Sequence, residues 1–217
     1  MTPFPDSAAA RLRRQAAVVL ITLAAGCALA GCQNSSPATE PTTQGSTVNT
    51  SEYSTLDAAG VAAIRDSRTA KLDMTSGRLS KEAVRVTQDS YGPEINTRDS
   101  GKISLTITAP TGEISGETDR IRFNTTDKRS DFSEVTYFLT ADTPEEYFEL
   151  IRDGVDRYGI SADSAEDWIS STQADPGSKS DFSITSGRST GLDVNYDLRY
   201  DGGKDTQVII VHVRPVS

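Results

Sequence analysis

The sequence predicts an α+β fold: an antiparallel sheet of about six or seven strands with helices packed on one face. Three observations carry this. Leu192, Val194, Tyr196, Leu198 and Tyr200 alternate without exception with Asp193, Asn195, Asp197 and Arg199, the period of a strand with one buried and one solvated face. Asp201-Gly202-Gly203 supplies hairpin chemistry, and the apolar run at 207–213 returns along it. Tyr147, Ile151, Val155 and Tyr158 recur at helical spacing, the pattern of a helix that lays one apolar stripe on such a sheet.

The elements follow in chain order. Leu56, Gly60, Ala63 and Ile64 share a helical face, so a helix is expected over 56–71, weakened by Gly60. Residues 83–88 read as a short strand, and 89–101, with Gly92-Pro93 and Asp99-Ser100-Gly101, as a loop. Ile103, Leu105, Ile107 and Ala109 alternate with Ser104, Thr106 and Thr108, a strand that Pro110-Thr111-Gly112 ends. Further strands are expected over 120–126, with Ile121 and Phe123 inward, and over 132–140. In the latter, Val135, Tyr137 and Leu139 share a face and Phe138 takes the other. Thr143-Pro144-Glu145-Glu146 provides an N-cap, a first-turn proline and a capping-box glutamate, and Gly159 closes that helix. Ser164-Ala165-Glu166-Asp167 reads as a second capped turn introducing Trp168 and Ile169, before Asp175-Pro176-Gly177 breaks the chain; Phe182 and Ile184 mark one more strand.

The first residues carry a different signal. Arg11, Arg13 and Arg14 precede an apolar run at 16–25 that is short for a bilayer span, the layout of an export signal. Leu29-Ala30-Gly31-Cys32 follows and resembles the lipobox of bacterial lipoproteins. The resemblance implies cleavage between Gly31 and Cys32 and acylation of Cys32, with two or more chains giving stable anchoring. Residues 33–50 are almost wholly Ser, Thr, Pro, Gln, Asn and Gly, the composition of a flexible tether. The expected organisation is a cleaved signal at 1–31, a lipidated tether at 32–52 and a single domain at 53–217. Cys27 leaves with the signal and Cys32 carries lipid, so the domain has no thiol for a disulfide, a nucleophile or a metal site.

Composition narrows the partners. Without residues 1–31 the chain has 19 basic against 30 acidic side chains, which argues against nucleic acid and against binding an anionic membrane surface through a basic face. Leu, Ile, Val and Phe are nine of the seventy residues at 33–102 but 27 of the 115 at 103–217, so the apolar content that builds a core lies in the later part.

Several patterns invite a chemical reading. Gly187-Arg188-Ser189-Thr190-Gly191 matches G-x-S-x-G, with Asp197 and His212 following in triad order. A nucleophile elbow needs a helix after the serine; here the next element is the strand at 192–200, so Gly187 and Gly191 read as turn glycines. His212 is the one histidine and shares a strand face with Val208 and Ile210, which favours a hydrogen-bonded structural role over proton transfer or metal binding. Asp193, Asn195 and Asp197 start like a calcium loop, but Leu198 stands at the required glycine and Lys204 at the closing glutamate, so the row reads as a solvated face. Trp168, by its helical spacing, reads first as a core anchor and alternatively as a sugar-stacking surface. Phe138, flanked by Thr136 and Thr140, lies either under a helix or along a groove. Phe138 and Trp168 are the aromatic candidates for a ligand or partner surface; no catalytic set, metal site or cofactor is expected.

The order of capped helix ending at Tyr158-Gly159, short second helix and terminal hairpin is loosely similar to the LppA-type lipoproteins of mycobacteria, over about the last eighty residues. That family implies no established activity, and this chain departs from it in having no cysteine in the domain. Sixteen arginines against six lysines suggest a GC-rich, actinobacterial source. The expected function is that of an extracytoplasmic lipoprotein held to the cell membrane, a non-enzymatic binding or structural module whose partner is an envelope protein, glycan or lipid. The alternatives are a lipid or glycolipid carrier with an apolar cavity and, behind it, an esterase using Ser189.

Overall fold

The computed structural model describes residues 52–125 and 128–217. The export signal, Gly31, Cys32 and nearly all of the tether lie outside the described residues. The fold is α+β and mostly sheet, with three helices and eleven strands among those residues.

Helix α1 spans Ala58–Ser67, with the Asp57 carboxylate accepting from the Gly60 N–H at its start. It is shorter than the 56–71 expectation because Arg68 turns left-handed at φ 57° and the chain then extends as β1, Thr69–Asp73, burying Ala70 and Leu72. A two-residue strand β2, Leu79–Ser80, follows. Residues 83–88 are not a strand. They coil in turns in which Val84 N–H bonds Ser80 O and Val86 N–H bonds Lys81 O. The Lys81 ammonium, fully buried, donates to the carbonyls of Gln88 and Ser90 and so gathers the loop around itself. The expected loop at 89–101 contains a short strand β3, Glu94–Asn96, around buried Ile95.

Strand β4 is Ile103–Ala109, as the alternation predicts, and it pairs with β5, Gly112–Thr118. The sequence reading missed β5 because two glycines and a single inward aliphatic, Ile114, hide the period. Gly116 is needed there: a Cβ would lie 2.9 Å from Leu139 and 3.2 Å from the Tyr137 ring. After Asp119 the chain re-enters as β6, Arg120–Asn124. Buried Thr118 holds this corner, its hydroxyl accepting from Phe138 N–H and Arg120 N–H and donating to Arg120 O. A chain that changes sheets at a bend in this way joins two layers. Strand β7, Asp131–Phe132, pairs with β2 as a separate ribbon, and β8 is Glu134–Thr140.

Helix α2, Pro144–Tyr158, begins at the Thr143 N-cap, whose hydroxyl accepts from Glu146 N–H, and ends at left-handed Gly159. Glu146 reaches back to the N–H of Asp142, one residue before the cap. Helix α3, Ala162–Ala174, starts a turn earlier than expected because Ser161, not Ser164, is the cap. Strands β9, Lys179–Ser183, β10, Leu192–Asp201, and β11, Thr206–Pro215, complete the chain.

The six-stranded sheet is antiparallel throughout, in the order β3-β6-β8-β11-β10-β9; a three-stranded sheet runs β1-β4-β5 with β1 parallel to β4. Helix α2 is tied to both sheets. The Tyr147 hydroxyl accepts from Arg199 N–H and donates to Val208 O, bridging β10 and β11. The Tyr158 hydroxyl accepts from Ser115 N–H and donates to Ser115 O on β5. Gly154 lets the helix approach the sheet, since a Cβ there would lie 2.5 Å from the Tyr196 ring. The core is aromatic: Tyr147, Trp168 and Tyr200 meet edge-on or tilted with ring centroids 5.8–6.2 Å apart.

Candidate functional site

The helices cover one face of the six-stranded sheet, so the outward positions of its strands are free to carry polar chemistry. Strand register places Arg214 opposite both Asp193 and, one pair beyond Val135–Val213, Glu134; it places His212 between Thr136 and Asn195, and Ile210 between Phe138 and Asp197. The resulting face has charged rims and a narrow apolar centre of Phe138, Ile210 and Val208, all half-buried.

Glu134 is the hub. Its Oε1 accepts from the Thr136 hydroxyl at 2.6 Å and Asn124 Nδ2 at 3.0 Å, and its Oε2 meets Arg214 Nε at 2.7 Å. His212 Nδ1 approaches Oε1 at 3.1 Å, a close contact that lacks well-directed hydrogen-bond geometry. Burial opposes the charged carboxylate, yet His212, Thr136 and Arg214 outweigh it and hold the Glu134 pKa at about 2. On its other side, His212 Nε2 lies 3.7 Å from Asp197, which also pairs with Arg199.

Phe138 lies on this face and not beneath a helix. The guanidinium groups of Arg120 and Arg122 stand 5.2 and 5.4 Å from its ring centroid. Glu94 on β3 holds both arginines, with Arg122 Nε at 2.7 Å and Arg120 Nε at 3.0 Å. Burial works against the Glu94 charge, but the two arginines win and lower its pKa.

The other sequence candidates fall elsewhere. Trp168 is 7% exposed, packs against Tyr147 and Tyr200, and donates its indole N–H to Ser180 Oγ. It is therefore a core residue and not part of a surface, because α3 turns that side of itself to the sheet. Ser189 sits in the turn between β9 and β10, where its N–H bonds Tyr158 O and its carbonyl accepts from Thr111 Oγ1. Gly187 bridges to Val194 and Gly191 is left-handed at φ 78°, both serving the turn. No contact joins Ser189 to His212, whose own neighbours are Glu134 and Asp197. In the polar row of β10, Asp193 pairs with Arg188 and Asn195 bonds Ser183 and Ile184 O.

Sequence reasoning missed a second feature, a group of depressions around the β2–β7 ribbon. One, of about 240 Å³, is lined by Arg78, Arg129, Asp131, Phe132 and Arg214. A second, of about 270 Å³, shares Arg78 and adds Tyr53 and Asp73. A third, of about 350 Å³, lies over the Lys81 loop between Arg85 and Ser130. No single stretch of sequence contains this convergence.

No family model, curated protein or solved structure matches the chain.

Proposed function

We propose that this chain is a lipoprotein held to the outer side of the cell membrane through acylated Cys32, and that its domain is a non-enzymatic binding or structural module of the cell envelope. The single observation that carries the anchoring is Leu29-Ala30-Gly31-Cys32 placed directly after a basic cluster and an apolar run. The tether and the acidic composition agree with a domain displayed away from the bilayer. A binding role is supported by the open sheet face, where Phe138, Ile210 and Val208 lie between charged rows on an otherwise well-packed domain. A carrier would need a cavity between sheet and helices; among the described residues Tyr147, Ile151, Tyr158, Trp168 and Tyr196 fill that space, which favours the surface reading.

Two measurements test this. Cys32→Ser should move the protein from the membrane fraction to the soluble one, and retention in the membrane would sink the anchoring. A photo-crosslinking residue at Phe138, in cells, should capture an envelope component that the same probe at exposed Glu113 does not. Equal labelling at both positions would sink the binding face.

A further inference from the structure

The depression of about 240 Å³ beside the β2–β7 ribbon has a chemistry opposite to that of the whole chain. The protein carries a formal net charge of −9, yet this hollow is lined by three guanidinium groups, Arg78, Arg129 and Arg214, against one side-chain carboxylate, Asp131, with Ser133 and Ser217 also on its wall. The three arginines come from three separate segments. Arg78 immediately precedes β2, Arg129 lies in the connection before β7, and Arg214 stands near the end of β11. They meet because Leu79 pairs with Phe132 across the ribbon while Arg214 holds Glu134 at the start of β8, which brings the ribbon against the end of the open face.

Their existing partners leave much of this charge uncommitted. Arg129 is exposed and has no ion pair or hydrogen bond with any described residue. Arg78 only nears Asp131, at 3.7 Å, with its side chain 60% exposed. Arg214 spends its Nε on Glu134 and has one further carboxylate, Asp193, at 3.9 Å. Guanidinium groups gathered on one hollow repel one another where the neighbouring carboxylates do not neutralise them, and a bound oxyanion relieves that repulsion. Guanidinium forks favour oxyanions. Donors approaching from three elements suit a tetrahedral oxyanion, whose oxygens point in several directions, better than a planar carboxylate with two. Phe132, Pro215 and Val216 supply an apolar wall to the same hollow, and Val216 is 41% exposed.

We infer that the hollow between Arg78, Arg129 and Arg214 is a binding site for a phosphate group, with Val216 and Pro215 accommodating an organic substituent of the phosphate. Lipid phosphodiesters and free phosphate esters share this chemistry. The inference deepens the binding-module reading and rests on it, but it does not depend on the lipid anchor.

The test is a titration of the ¹⁵N-labelled full chain carrying Cys32→Ser with inorganic phosphate and with glycerol phosphate, at ionic strength held constant with chloride. Saturable amide shifts confined to the surroundings of Arg78, Arg129, Ser133 and Arg214 are expected. Arg129→Gln and Arg78→Gln should each weaken binding about tenfold, the size of one lost charge-assisted contact. Arg65→Gln, at an exposed arginine of α1, should leave it unchanged. Shifts that do not saturate, that chloride reproduces, or that survive both substitutions overturn the site. Both arginines are exposed, so either variant should keep the wild-type spectrum elsewhere and a null result cannot be blamed on unfolding. Sedimentation with phosphatidylglycerol and phosphatidylcholine vesicles separates the sources: Arg129-dependent binding that glycerol phosphate displaces assigns the ligand to a lipid headgroup. Binding of the soluble esters alone assigns it to a free ester. A null titration with the Phe138 cross-link still formed overturns the phosphate site alone; loss of the cross-link overturns the binding face.

Discussion

On the covered face of the six-stranded sheet, Tyr196, Leu198, Tyr200, Ile209 and Val211 are at most 2% exposed, and Tyr196 and Tyr200 meet α2 and α3 through aromatic contacts. On the open face of the same strands, Asp193, Asp197, His212 and Arg214 are half-buried and polar, Arg214 lying 3.9 Å from Asp193 and His212 3.7 Å from Asp197. The backbone is shared, so the contrast isolates side-chain physics. Dispersion and burial hold the first face whatever the pH, whereas the second depends on protonation states and salt. A face held together by adjustable charge can exchange its internal partners for external ones, and a face sealed by tyrosines cannot.

The strongest attempt to break this contrast is Tyr196→Ala. The ring is 1% exposed and lies against Gly154 of α2 and the Tyr158 ring. Its removal should destabilise the fold by about 3–5 kcal/mol, the range for a buried aromatic, because a helix held at close range cannot collapse into the gap. Urea denaturation at neutral pH would measure it. A loss near zero would mean that α2 is not what seals this face.

The open face should respond instead to acid. Glu134 has a pKa of about 2 in the fold against an ordinary 4.5. A carboxyl whose folded pKa is depressed contributes stability that is fully present above the unfolded value and is lost as pH falls through the folded one. The window is therefore from about pH 4.5 down to about 2, and the loss across it should be on the order of 2–3 kcal/mol. Glu134→Gln should flatten this part of the stability profile between pH 6 and 2. An unchanged profile would show that Arg214 and His212 do not act through Glu134.

How far the two faces were legible in the sequence follows from the same contrast. Strands β4, β10 and β11 declare themselves because one covered face forces strict alternation. Helix α2 declares itself through its cap and stripe. Strand β5 does not, since Gly116 replaces a side chain where Leu139 and Tyr137 fill the space. The end of α1 is set by a left-handed arginine, Arg68, and no residue type announces that. The loop at 83–88 looks like a strand from its valines but coils around Lys81, whose burial depends on carbonyls of later residues. The candidate site was legible only in part. Phe138 could be placed on the outward face from its neighbours, and His212 from Val208 and Ile210. The union of Arg78, Arg129 and Arg214 is a product of strand pairing between distant segments, and no local pattern encodes it.

The smallest expected effect is the sharpest for the comparison. Phe138→Ala removes an aromatic ring, as Tyr196→Ala does, but from the open face. Arg120 and Arg122 stack on that ring, yet each keeps its bond to Glu94 when the ring is gone. The half-buried position limits the apolar area lost, and the exposed cation–π contacts are weak, so the cost should be about 1 kcal/mol. Urea denaturation beside Tyr196→Ala gives the ratio directly. Costs of similar size would place Phe138 in the core and remove it as a binding residue. A severalfold difference would leave a large aromatic on the surface whose presence stability does not require, which is what a residue retained for contact with a partner looks like.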